Sequence, residues 1–155
     1  PVLVVRPQAP NRPAGPLKII LAYDDSPGSK VAAKQLFSFP WAADTQIQIT
    51  TLLERPHLLH KDEVYDPQAI ADGERKLTEL VAEAHCSANV HYLVRETIHV
   101  GDALAHLADE AHGDLMFVGE TGRSALARFF VGSAAKHILH HSASSVWIAR
   151  GKQWN

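Results

Sequence analysis

The sequence predicts an α/β domain: a parallel sheet with helices on both faces. Three observations carry this. Five short apolar runs rich in β-branched residues read as buried strands. They alternate with segments of helical periodicity, the pattern of a doubly wound fold. Clusters of Gly, Ser and Asp follow the first and fourth runs, where ligands bind in such sheets. The expectation is a five-stranded parallel sheet of order 3-2-1-4-5, Rossmann-like or flavodoxin-like, with right-handed crossovers.

The elements follow in order. "LKIILAY" (17–23) is the first strand. "SPGSKVAAKQLFSF" is a helix with Ser26 as N-cap, Pro27 in its first turn and Ala32, Ala33, Leu36 and Phe37 on one face. "IQITTLL" (47–53) is the second strand. A long helix over about 67–85 turns Ile70, Leu77, Leu80, Val81 and Ala84 inward. "NVHYLVR" (89–95) is the third strand, and "GDALAHLADEAHG" a helix with a Gly113 stop. "DLMFV" is the fourth strand, "GSAAKHILHHS" the fourth helix and "SSVWIAR" the fifth strand.

Composition narrows the function. The chain's 155 residues suffice for one domain with a full core, and 46% hydrophobic with 21% charged residues is ordinary for a globular protein. A net charge of -2 gives no electrostatic case for nucleic acid or an anionic membrane. No apolar run approaches the ~20 residues of a membrane span. "PVLVVR" is too short for a signal-peptide core, and a single cysteine, Cys86, fits a reducing compartment. A cytoplasmic location is expected.

Residues 1–16 stand apart from a domain expected over 17–155. "PQAPNRPAGP" (7–16) places prolines at three-residue spacing, the period of a polyproline II spacer. "PVLVVR" before it resembles "SVWIAR" at 145–150, and the chain opens without Met. The segment reads either as the closing strand of a preceding, similar domain or as an ordinary N-terminal arm.

The loop "GETGRSALARFFVGS" carries the chemistry. Its Gly119, Gly122, Gly132 and Ser133 are spaced G-x2-G-x9-G-S. Glycine allows close backbone approach, and Gly132-Ser133 opens a helix whose free N–H groups and dipole favour an anion. Arg123 and Arg128 would add positive charge. G-x4-G-K-[ST] and G-x-G-x-x-G are both absent. Taken by spacing alone, glycines that serve only turns and a helix cap explain the loop at least as well.

Together, "KIILAYDDSPGS" and "GDLMFVGETGRSALARFFVGSAAKHILHHSASSVWIAR" resemble the universal stress protein family from about Leu17 to Arg150, and "HVGDA" at 99–103 is similar to a further family segment. The resemblance implies a domain that binds ATP, alone or with Mg2+. Ala22, Tyr23 and Asp24 would lie near the adenosine, and Leu53 and Val118 would supply apolar contacts. Gly119, Thr121, Gly122, Gly132, Ser133 and Ala134 would cradle the phosphates. It also implies pairing through the last strand, as a homodimer or between tandem domains. The chain departs from the family pattern at Glu120, where a small hydroxylated residue is common, at Ala135, and at Ser145, where Pro is usual.

The remaining features suggest less. His137 and His141, four apart, share a helix face, but no Cys pair or H-E-x-x-H accompanies them. The acids Asp24 and Asp25 should point apart, one to the ligand and one to the turn. Trp147 reads as a packing or interface residue of an edge strand. No base, nucleophile or water-positioning group emerges, so efficient ATP hydrolysis is not expected, while slow turnover stays open. The expected role is a nucleotide-dependent stress-response regulator working through ordering of the 119–132 loop. The alternative is a module that binds no nucleotide and acts by dimerisation through its last strand, a reading that Glu120 favours.

Overall fold

Each apolar run becomes a strand of one sheet. The computed structural model describes residues 1–7, 15–55, 67–120 and 132–151. In chain order its elements are β1 (Val2–Val4), β2 (Lys18–Ala22), α1 (Pro27–Phe37), β3 (Gln46–Glu54), α2 (Pro67–Glu83), β4 (Asn89–Thr97), α3 (Val100–Glu110), β5 (Leu115–Gly119), α4 (Ser133–His141) and β6 (Ser145–Ala149). The sheet runs β1-β6-β5-β2-β3-β4.

The five expected strands are β2 to β6, and they pair in parallel in the expected order. The expectation of five strands is corrected to six. β1 adds to the edge of β6 and runs antiparallel to it, so the sheet is mixed. The reason lies in the "PVLVVR" segment: its β-branched residues suit a strand, and β6 would otherwise present an unpaired edge. Arg6 fastens the addition. Its N–H donates to Ser145 Oγ at 3.1 Å, and its guanidinium donates to the Leu139 carbonyl near the end of α4. Ser145, which stands where the family pattern has Pro, thus supplies an acceptor.

The pleat divides the core in two. Ile19, Leu21 and Phe117 pack with Ala32, Ala33 and Leu36 of α1 and Leu77 of α2 on one face. Ile20, Met116, Val118, Val146 and Ile148 pack with Leu104 and Leu107 of α3 and Ile138 of α4 on the other. β6 is an inner strand here, so Trp147 stacks on Phe117, with ring centroids 5.5 Å apart, and donates to Gln35 Oε1 at 2.7 Å. α3 ends at Glu110, and its left-handed stop falls one residue before the expected Gly113. His112 takes the left-handed conformation (φ 50), and the Gly113 N–H returns to the Ala108 carbonyl at 2.8 Å. That is a Schellman ending with His in the place glycine usually takes.

Candidate functional site

Parallel strands deliver their carboxyl ends to one side of the sheet, and strand order reverses between β2 and β5. There the chain leaves β2 through Asp24-Asp25-Ser26 and leaves β5 through Gly119-Glu120, and the two turns flank a crevice. The crevice has a volume of about 590 Å³ and opens on the α3–α4 face.

The β2 turn is tightly built. Ser26 caps α1, its Oγ accepting the Ser29 N–H at 3.2 Å. Asp24 Oδ1 accepts the Ser26 N–H at 3.1 Å. Asp25 takes φ 64 and turns away from the crevice, between Lys30 of α1 at 2.9 Å and Lys76 of α2 at 3.0 Å. Hydrogen bonds from these two lysines hold its carboxyl down at about 2. The Tyr23 hydroxyl donates to Asp25 at 3.3 Å, and its pKa rises to about 12, first through burial and then through the charge of Asp25. The adjacent acids do point apart, and only Asp24 lines the crevice.

Across the crevice, α4 begins at Gly132, a cap without a side chain to bond its first turn. The Gly132 N–H is itself used, donating to the Glu120 carbonyl at 2.7 Å. Among the described residues, the donors left at the helix start are the N–H groups of Ser133, Ala134 and Ala135, residues that all line the crevice. Gly119 has a different reason to be glycine. A Cβ there would lie 2.4 Å from the Gly28 backbone, so the end of β5 meets the first turn of α1 in direct backbone contact.

The sequence-predicted site residues Ala22, Tyr23, Asp24, Val118, Gly119, Gly132, Ser133 and Ala134 are all brought to this crevice. Leu53 is not. Leu52 takes its place, because neighbouring residues of a strand face opposite sides and a shift of one residue changes the face. Thr121 and Gly122, with Arg123 and Arg128, lie outside the described residues. Thr50, Ser29 and Asp102 also line the crevice and were not singled out, and His137, weighed from the sequence only as a metal ligand, lines it too. "HVGDA" was the available signal for Asp102, since α3 opens there. The His137 ring meets Asp102 Oδ1 at 2.7 Å and sits directly over Gly101, where a Cβ would come within 2.8 Å of it. His137 and His141 have ring centroids 4.3 Å apart.

Glu120, the departure that counted against an anion, has a partner. Arg150 at the end of β6 donates to its Oε1 through Nε at 2.7 Å and through a terminal nitrogen at 2.5 Å. Among the described residues no helix is long and apolar enough to cross a membrane.

These features define a doubly wound α/β domain with an anion-suited crevice at its switch point. The chain belongs to the universal stress protein family, whose model matches residues 17–150. Among curated proteins no sequence matches it. Of solved structures, it is similar to hypothetical protein MJ0577, at 15% identity and TM-score 0.75, covering 88% of this chain and 97% of that one. A universal stress protein in complex with cAMP is 22% identical with TM-score 0.63, covering 88% and 98% of the two chains. An Arabidopsis thaliana family protein with AMP bound is 13% identical with TM-score 0.60, covering 89% and 94%.

Proposed function

We propose that this domain binds an adenine nucleotide, ATP alone or with Mg2+, in the β2/β5 crevice and acts as a nucleotide-dependent stress-response regulator. The observation that carries the reading is the start of α4, left without a side-chain cap and facing Asp24 across a cavity of ligand size. Similar folds hold AMP and cAMP, which supports an adenine nucleotide. Asp24, Glu54 and Asp102 line the crevice, and such a carboxylate set suits a nucleotide that arrives with a divalent cation. The feature that favoured a module without nucleotide, Glu120, is neutralised by Arg150. Occupancy of the site, rather than turnover, would be the signal. Calorimetric titration with ATP, with and without Mg2+, tests this. Saturable binding is expected, lost in Gly132→Val, which keeps an ordinary backbone conformation (φ -55, ψ 154) and crowds the helix start. Absence of saturable binding at millimolar ATP under both conditions refutes it.

A second observation bears on assembly. β1 pairs with β6 in the register Val2↔Ile148, Leu3↔Trp147, Val4↔Val146. When "PVLVVR" is aligned on "SVWIAR", Val2 matches Val146 and Val4 matches Ile148. The pairing therefore maps onto itself about Leu3 and Trp147, as it would between two copies of one closing strand. We infer that the β6 edge takes a closing-strand partner and that this chain supplies it in cis, which favours tandem over homodimeric pairing. Sedimentation should find the chain monomeric and a variant lacking residues 1–6 dimeric. A dimer of the full chain that persists unchanged on Trp147→Lys would count against it.

A further inference from the structure

Glu120 is where this chain departs most sharply from a phosphate-binding loop, and the structure gives that departure a consequence. The residue sits between two that line the crevice: it follows Gly119 in the chain, and its carbonyl accepts the Gly132 N–H at 2.7 Å. Its own N–H donates to the Ala149 carbonyl at 3.0 Å, which carries the β5–β6 ladder one residue further. The pleat alternates along β5. Val118 packs on the α3–α4 side, while a Cβ on Gly119 would strike α1. Residue 120 therefore returns to the side that holds the crevice. Its side chain is only 23% exposed, and Arg150 holds it through two donors on one carboxylate oxygen.

The charges already present make this pair matter. The described lining residues include three carboxylates, Asp24, Glu54 and Asp102, and no Lys or Arg. Attraction for an anion comes there from main-chain amides, which a further unpaired carboxylate would oppose. We infer that the Glu120–Arg150 ion pair sets how much phosphate charge the crevice accepts, with Arg150 acting as a positioning residue that neutralises and restrains Glu120. This rests on the proposed nucleotide binding and adds a specificity determinant to it.

The charge dependence of the ligand separates this role from a structural one. A carboxylate released near the site costs about a factor of two per ligand charge at roughly one Debye length. Arg150→Ala should therefore weaken ATP about tenfold, AMP about fourfold and cAMP about twofold, whereas loosened structure would weaken all three alike. Arg150 is exposed, and its carbonyl contact with Gln35 is made by the main chain, so the variant should keep a native melting profile. Glu120→Gln added to Arg150→Ala should restore all three affinities to within about twofold, and Arg150→Lys should recover most of the ATP loss.

Calorimetry with ATP, AMP and cAMP on wild type, these three variants and Glu120→Gln alone decides it. The graded loss and its repair by Glu120→Gln support the inference. Equal losses for the three nucleotides, or a loss that Glu120→Gln leaves in place, overturn it while leaving the binding reading intact. Binding unchanged by Arg150→Ala does the same. If wild type binds none of the three but Glu120→Gln binds them, Arg150 does not neutralise the carboxylate and the inference fails. If neither binds, the proposed function and this inference fall together.

Discussion

The two turns that face each other across the crevice are the same topological element built to opposite ends. The turn from β2 to α1 satisfies itself. Ser26 caps the helix, Pro27 removes a donor that would need a partner, and Ser29 Oγ donates back to the Ser26 carbonyl at 3.0 Å. The turn from β5 to α4 places glycine at the cap and leaves the helix start to whatever occupies the crevice. A strand-to-helix turn costs the same backbone ordering in both places. Of these two helices, among the described residues, α1 alone has a first donor met by a side chain. The difference assigns helix capping to the first turn and free main-chain donors to the second, while Asp24 of the first turn still faces the crevice, and each assignment can be tested by giving one turn the other's chemistry.

The largest effect should come where the two turns touch. Gly119 belongs to the binding turn, but its missing side chain serves the structural one. A Cβ at this position meets Gly28 C at 2.4 Å and Ser29 N at 2.7 Å, and these backbone atoms cannot rotate away. Gly119→Ala must push α1 off β5, with an expected cost of about 3 kcal/mol or more in urea unfolding. A loss below about 1 kcal/mol would mean that the two turns are not in backbone contact. Nucleotide affinity should fall as well, because Asp24 moves with α1.

The next two substitutions exchange the roles directly. Gly132→Asp gives α4 the cap it lacks. Stability should rise by a few tenths of a kcal/mol, while nucleotide binding falls more than tenfold, since the new carboxylate claims the amides meant for phosphate. A gain in stability with binding intact would show that the helix start does not hold the ligand. Ser26→Ala removes the existing cap from α1. It should cost about 1 kcal/mol of stability and, although Ser26 lines the crevice, lower nucleotide affinity far less than the roughly tenfold expected at Gly132. A larger effect on affinity than on stability would erase the distinction between the turns.

How much of this could be read from the residues depended on whether the cause was local. The alternation of strands and helices followed from apolar runs and helical periodicity, and the facing of the two turns followed once the doubly wound order was assumed. So did the split between Asp24 and Asp25, because adjacent strand residues diverge. Leu53 failed by one position because a run such as "TLLE" does not reveal which leucine points to which face; β3 register against β2 and β4 decides that. The partner of Glu120 lies 30 residues away and meets it only because β5 and β6 are neighbours. Gly119 was read as a phosphate residue, and no sequence pattern announces that a helix 90 positions earlier packs against its bare Cα. β1 was legible as a strand but not as a member of this sheet, since that needed the free edge of β6.

The smallest effect expected is also the one with a clear dependence on pH. Asp25 lies behind the structural turn, between Lys30 and Lys76, and its carboxyl titrates at about 2 instead of 3.8. A folded value below the unfolded one means that the pairing adds stability above about pH 4 and that this stability is lost as pH falls through about 2. Both lysines are well exposed, so water screens the pair and its contribution should stay under about 1 kcal/mol. Asp25→Asn tests this cleanly, because Asn accepts the same left-handed backbone at φ 64. The variant should be slightly less stable than wild type at pH 7, and the gap should close as pH approaches 2. Its Tyr23 should also ionise below the native value of about 12, once the neighbouring negative charge is gone. Urea midpoints at pH 7, 4 and 2.5, with ultraviolet titration of the phenol, read both effects. A gap as large at pH 2.5 as at pH 7 would place the role of Asp25 in its backbone rather than its charge. Nucleotide affinity should be unchanged throughout, since Asp25 turns away from the crevice that Asp24 faces.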